Sequence, residues 1–172
     1  MQTELNKVIA ALRDFYAQEG FLFEKDIGER AITHRLAVYL ERQFSGWSVD
    51  CNYDRLGERT LHLPHGTIIS TDDHLGKSIY PDVVVHQREI PNNLLAVEIR
   101  NASNHTALAH DQHKLLGLTD PHVWFAYWIG VLLVLDSHSV TLSEVYVSGL
   151  VDEAQSRWFA TRLAEIGLAG NA

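Results

Sequence analysis

Tyr80-Pro81-Asp82-Val83-Val84-Val85 and, a short turn later, Leu95-Ala96-Val97-Glu98-Ile99-Arg100 decide the reading of this chain, because each sets an acid into an apolar run. A proline opens the first run, at a position where a strand tolerates a missing N–H. Successive side chains of a strand alternate faces, so Glu98 and Arg100 project to one side while Val97 and Ile99 project to the other. A carboxylate in a buried strand is costly unless something compensates its charge. The pattern is therefore Pro-Asp on one strand and Glu-x-basic on the next.

Working outward, Gly28 to Leu40 reads as a helix, and at roughly 100° per residue Glu29 falls on the stripe of Ile32, Leu36 and Leu40. An acid on a core-facing stripe is an anomaly; the plain alternative is that Glu29 favours the positive end of its own helix. Trp47 to Tyr53 alternates as a first strand, and a further helix is expected from about Thr106 to Leu116. Val123 to Leu135 reads as two buried strands broken by a tight turn at Gly130. Thr141 to Val147 alternates as an edge strand, and a closing amphipathic helix runs from about Asp152 to Ile166 with Trp158, Phe159 and Leu163 inward.

This order of helix, three strands, helix and strand, with Pro81-Asp82 and Glu98-x-Arg100 on consecutive strands, resembles the PD-(D/E)XK, or restriction-endonuclease-like, nuclease superfamily. The resemblance covers residues 28–135. It extends to Asp111-Gln112-His113-Lys114-Leu115, similar to an Asp-x-x-Lys-Leu helix in some bacterial members, and to Glu29 with Arg35-Leu36-Ala37 on the first helix. It implies an α/β fold with an αβββαβ core, a central mixed sheet flanked by helices. It also implies a site in which Asp82, Glu98 and the carbonyl of Ile99 hold Mg²⁺ or Mn²⁺ by oxygen, with Glu29 binding directly or through water. The family's lysine is Arg100 here, and a guanidinium stays protonated and cannot serve as a general base. Arg100 is then expected to clamp the scissile phosphate, with Lys114 supplying the missing amine.

At 172 residues, with no Pro/Gly/Ser-rich linker or internal repeat, the chain is expected to form one domain over 1–172. Its parts are an N-terminal helix over 1–18, the core over 28–135, and a C-terminal strand and helix over 140–167. Met1 to Tyr16 carries Glu4, Lys7, Arg13 and Asp14 among apolar residues, an amphipathic helix and not a signal peptide. The apolar run Val123 to Leu135 is shorter than the roughly 20 residues of a bilayer-spanning helix. With Cys51 the single cysteine, no internal disulfide can form, and a reducing cytoplasm is the expected compartment. The net charge of −8 and the lack of any basic run argue against a large, tight nucleic-acid footprint. They leave room for a nuclease, since site carboxylates contribute to that total and Lys77, Arg88, Arg100 and Lys114 fall in or near the expected site.

Ten histidines raise a zinc reading, above all His110-x-x-His113 with His62, His65 and His74, but no Cys-x-x-Cys pair completes a recognisable ligand set. His86 is a strand-end polar residue, with a supporting role at the site left open. The long polar segment Gly57 to Ile79 either borders the site or forms a flexible hairpin. Two functions follow. One is a metal-dependent phosphodiester hydrolase acting on nucleic acid, DNA first, with catalytic Asp82, Glu98, Arg100, Glu29 and Lys114. The other is a binding module for nucleic acid or protein that keeps this fold without hydrolysis; a blander reading makes the acids incidental. No membrane partner is expected, and a homodimer is left open.

Overall fold

The computed structural model describes residues 1–24, 27–56, 59–61, 80–104 and 108–170. Three helices come first: α1 (Gln2–Glu19), the short α2 (Phe21–Glu24) and α3 (Glu29–Gln43). Strands β1 (Ser48–Cys51), β2 (Arg55–Leu56), β3 (Arg59–Thr60), β4 (Val83–Gln87) and β5 (Asn92–Asn101) follow. The chain continues through α4 (Ala109–Leu118), β6 (Ile129–Leu135), β7 (Val140–Val147), β8 (Leu150–Val151) and α5 (Glu153–Glu165). Asp152 caps α5 by accepting the Gln155 N–H at 2.9 Å, the N-cap chemistry expected of an aspartate there.

Six strands form one open mixed sheet in the order β1-β4-β5-β6-β7-β8, and β2 with β3 makes a separate small hairpin. Of the strand pairs among the described residues, β5–β6 alone is parallel and the others are antiparallel. A parallel pair needs a crossover, and α4 supplies it. Helices cover both faces. Leu5, Leu12 and Phe15 of α1, Leu36 and Leu40 of α3 and Phe159 and Leu163 of α5 pack with Val83, Val85, Val97, Ile99, Val131 and Leu133 of the sheet. On the opposite face Leu115 and Leu118 of α4 pack with Val84, Ala96, Leu132 and Tyr146. Coverage on both sides explains why β5 is buried from Asn93 to Arg100, with its charged residues inside. Between α1 and α3, the buried carboxylate of Glu19 accepts hydrogen bonds from Arg35 and Tyr39.

Two sequence expectations need correction. Val123 to Leu135 holds one strand, not two: Val123 to Trp128 is a run of turns whose N–H groups bond locally or to Leu118 and Asn93. Its hydrophobicity comes from Phe125 and Tyr127, buried under α4 without joining the sheet. Gly130 lies inside β6 because α4 and β7 press against it. A Cβ there would sit 3.0 Å from Thr119 Cγ2 and Tyr146 Cβ and 3.2 Å from Leu115 Cδ2. Gly130→Val should therefore destabilise the protein by about 1–3 kcal/mol in urea denaturation, the usual cost of overpacking. The second correction is at β7, which is an edge strand over only part of its length, since β8 pairs with its outer side at Tyr146 and Val147.

Thr106 and residues 57–58 and 62–79, with Lys77, His62, His65 and His74, lie outside the described residues. Among the described residues no helix is long and apolar enough to cross a membrane.

Candidate active site

The register Val83↔Val97 between β4 and β5, continued by one step, sets Asp82 beside Glu98 on the face that α4 covers. Asp82 lies just before β4, and its Oδ2 accepts the Ile99 N–H at 2.8 Å. That bond fixes the acid against the neighbouring strand. Glu98 is 1% exposed, and neither of its oxygens accepts a directed hydrogen bond. Its compensation is a charge: Lys114 Nζ stands 2.5 Å from Oε2 and also donates to the Tyr80 carbonyl at 3.2 Å.

Arg100, two residues along β5, points to the same face and is held by Asp111, whose Oδ2 accepts from Nε at 2.9 Å and from Nη2 at 2.5 Å. The two ion pairs are consequences of spacing. Residues i and i+2 of a strand lie roughly 6.7 Å apart on one face, and residues i and i+3 of a helix are surface neighbours about 5–6 Å apart. Glu98-x-Arg100 on β5 and Asp111-x-x-Lys114 on α4 therefore match. The earlier strand residue meets the later helix residue because a crossover helix runs back against its strand.

Burial pushes the Asp82 carboxyl above its usual range, with the nearby charges of Asp111 and Glu29 adding to it and the Ile99 N–H and Lys114 opposing. Burial raises Glu98 much further, and the Asp82 charge adds to that. Burial also disfavours the Lys114 ammonium, but Glu98, Asp82 and Asp111 outweigh it and hold the lysine above its ordinary pKa. The cluster sets three acids, Asp82, Glu98 and Asp111, against two cations, Arg100 and Lys114, in a largely buried place.

Glu29 reaches this end of the sheet from the opposite layer. Its Oε2 accepts the Asn101 N–H at 2.9 Å and the Asn104 side-chain amide at 3.2 Å, so in the first turn of α3 it serves the end of β5 and caps nothing of its own helix. Asp82, Glu98, Arg100 and Lys114 are thus brought together, with Glu29 close enough to raise the Asp82 carboxyl. Among the described residues, no group of three or more His, Cys, Asp or Glu side chains is placed to hold a metal ion.

Other sequence candidates sit elsewhere. Arg88 pairs with Asp50, and so does the fully buried His86, whose Nε2 is 2.8 Å from Asp50 Oδ2. His86 is the penultimate residue of β4, near the strand end as the sequence suggests, and pairs with Ser48 of β1. Burial, then the charges of Asp50 and Asp82, raise the Cys51 thiol, which disfavours the reactive thiolate. His113 engages the Ala109 carbonyl through Nδ1 at 2.5 Å. The residue whose role the sequence did not disclose is Asp111. Its signal was present in the Asp-x-x-Lys spacing, which complements Glu-x-Arg. Compared with family models, with characterised proteins and with solved structures, the chain matches none.

Proposed function

We propose that this chain is a PD-(D/E)XK-like metal-dependent nuclease that hydrolyses phosphodiester bonds, DNA first. The observation that carries the reading is the placement of Asp82 and Glu98 side by side on one sheet face with the Lys114 ammonium against Glu98. The order α3, β1, β4, β5, α4, β6, with the β2–β3 hairpin as an insertion, agrees with the αβββαβ core of that superfamily. An amine from α4 then stands in for the lysine that β5 lacks.

The donor set suits a hard cation. Glu98 offers a buried Oε1 that accepts nothing, its Oε2 being paired with Lys114, Asp82 offers a second carboxylate, and Mg²⁺ is commonly held by one or two carboxylates with water and substrate phosphate completing the shell. Asp82, Glu98 and the Ile99 carbonyl would hold Mg²⁺ or Mn²⁺, with Glu29 reaching it through water. When bound, such an ion lowers the pKa of an attacking water and neutralises charge on the phosphate. Lys114 keeps a positive charge beside the acids, placed to orient that water or steady the phosphate as charge develops. Arg100 commits its guanidinium to Asp111, so its main work is to seat α4 and thereby Lys114.

The test is cleavage of plasmid, single-stranded DNA and RNA by purified protein with Mg²⁺ or Mn²⁺. Arg100→Lys should retain cleavage within about tenfold, since a lysine can still reach Asp111. Lys114→Gln should lose about 10²-fold or more, the range for a positioned proton-handling group. If Arg100→Ala alone ended cleavage while Lys114→Gln spared it, the roles of the two cations would be reversed. The second reading, a binding module without hydrolysis, draws on the absence of a three-acid group among the described residues. It takes over if neither wild type nor Arg100→Lys cuts any substrate with either metal.

A further inference from the structure

Both oxygens of Glu98 are buried and accept no directed hydrogen bond, and the cation that meets them is the Lys114 ammonium, 2.5 Å from Oε2. The pair is lopsided. The Lys114 side chain is 12% exposed and that of Glu98 1%, and Nζ also donates to the carbonyl of Tyr80, a half-exposed residue. Lys114 is therefore the outer partner, on the solvent side of the carboxylate. The neighbouring Arg100–Asp111 pair is built differently: two N–H groups of one planar fork meet Asp111 Oδ2, which pins α4 to β5. Lys114 is a compact charge on a flexible four-carbon stem, so its ammonium can move while α4 stays in place.

A cation arriving from solvent cannot reach a carboxylate whose oxygens are covered. Magnesium takes carboxylate oxygens at about 2.0–2.1 Å, closer than the ammonium stands, and two cations on one buried carboxylate repel each other with little water to screen them. We infer that Lys114 gates the acid pair: its ammonium occupies the cation position of Glu98, and a divalent cation enters only as Lys114 swings off Glu98 to the side of the Tyr80 carbonyl. The inference rests on the metal reading of this site proposed above. Apparent affinity for the cation is then reduced by the fraction of molecules in which Lys114 has withdrawn, so removing the ammonium tightens binding. The withdrawn lysine stays beside the acids with its charge uncompensated. Entry of the cation thus also releases a positive charge for a substrate phosphate.

Isothermal titration with Mn²⁺ alone tests the gate, together with acetylation of the wild-type lysines followed by mass spectrometry. Lys114→Met should bind Mn²⁺ at least about tenfold more tightly than wild type, although it loses a stabilising ion pair. In wild type, saturating Mn²⁺ should speed acetylation of Lys114 relative to Lys7, Lys25 and Lys77, the other lysines of the chain. In Asp82→Asn/Glu98→Gln the same Mn²⁺ should leave Lys114 acetylation unchanged, and an equal rise there would overturn the gate. Wild-type acetylation of Lys114 unmoved by saturating Mn²⁺, or a Lys114→Met affinity no higher than that of wild type, would overturn the gate and leave the metal site standing. Should Lys114→Met be too unstable to titrate, the wild-type acetylation decides. No Mn²⁺ binding by either protein would overturn gate and metal site together. Tighter binding by Lys114→Met and faster wild-type acetylation, in a protein that cuts no nucleic acid, would uphold the gate and overturn the nuclease reading alone.

Discussion

Cleavage by the Asp82→Asn or Glu98→Gln protein is expected to fall by about 10²–10⁴-fold relative to wild type, the range seen when one electrostatic or proton-handling group is lost. The two substitutions are near-isosteric, so they remove charge and little else. The amide oxygen introduced by Asp82→Asn can still accept the Ile99 N–H, and the amide oxygen introduced by Glu98→Gln can still accept from Lys114, whose charge keeps Asp82 and Asp111 nearby. Loss of activity with a preserved melting temperature would therefore report chemistry. Millimolar Mn²⁺ should raise the wild-type melting temperature, because a ligand bound only by the folded state stabilises it. That rise should vanish in the Asp82→Asn/Glu98→Gln protein. A rise of unchanged size would place the ion elsewhere and remove the main support for hydrolysis at this site.

Lys114→Met should cost about 3–5 kcal/mol of stability at pH 8, the penalty for leaving a buried carboxylate without its counter-charge. Glu98 has no hydrogen-bond donor to fall back on. The deficit should depend on pH with a definite sign. The Glu98 carboxyl is raised in the folded state, so the folded protein binds the proton more tightly than the unfolded chain does. Stability then falls as pH rises from the ordinary carboxyl value of 4.5 through the folded pKa, and in Lys114→Met acidification should recover much of the loss. Wild type has the opposite group at the alkaline end. The Lys114 contribution is fully present below the ordinary lysine value of 10.5 and is lost as pH climbs through its raised folded pKa. Urea denaturation from about pH 4 upward reads the carboxyl limb, and its extension above pH 10.5 reads the lysine limb. A Lys114→Met protein within about 1 kcal/mol of wild type at pH 8 would mean that water, not Lys114, compensates Glu98. The double variant Glu98→Leu/Lys114→Met should recover most of the loss, since an apolar pair can replace a buried ion pair at little cost.

Much of this architecture was legible in the linear chain. The apolar alternation around Glu98, the proline before Asp82, the stripe of Ile32, Leu36 and Leu40, and Asp152 before an amphipathic run are local signals, and the strands and helices lie near where those signals place them. Local signals also put Glu98 and Arg100 on one face, because alternation along a strand needs no partner. What they could not supply was register and layer. That Asp82 stands beside Glu98 depends on how β4 pairs with β5, a pairing interrupted by a bulge between Val85 and His86 that no residue announces. That Lys114 meets Glu98 while Asp111 takes Arg100 depends on α4 lying back across β5, which follows from the parallel β5–β6 pair. Val123 to Trp128 was misread for the same reason: an apolar run records burial, and whether its backbone bonds to a sheet or to turns is decided by what packs above it. Residue chemistry and periodicity act within a few positions along the chain. Pairings across 11, 16 or 17 positions, such as Arg100 with Asp111, Glu98 with Lys114 and Ile99 with Asp82, exist only once the sheet and its crossover helix have formed.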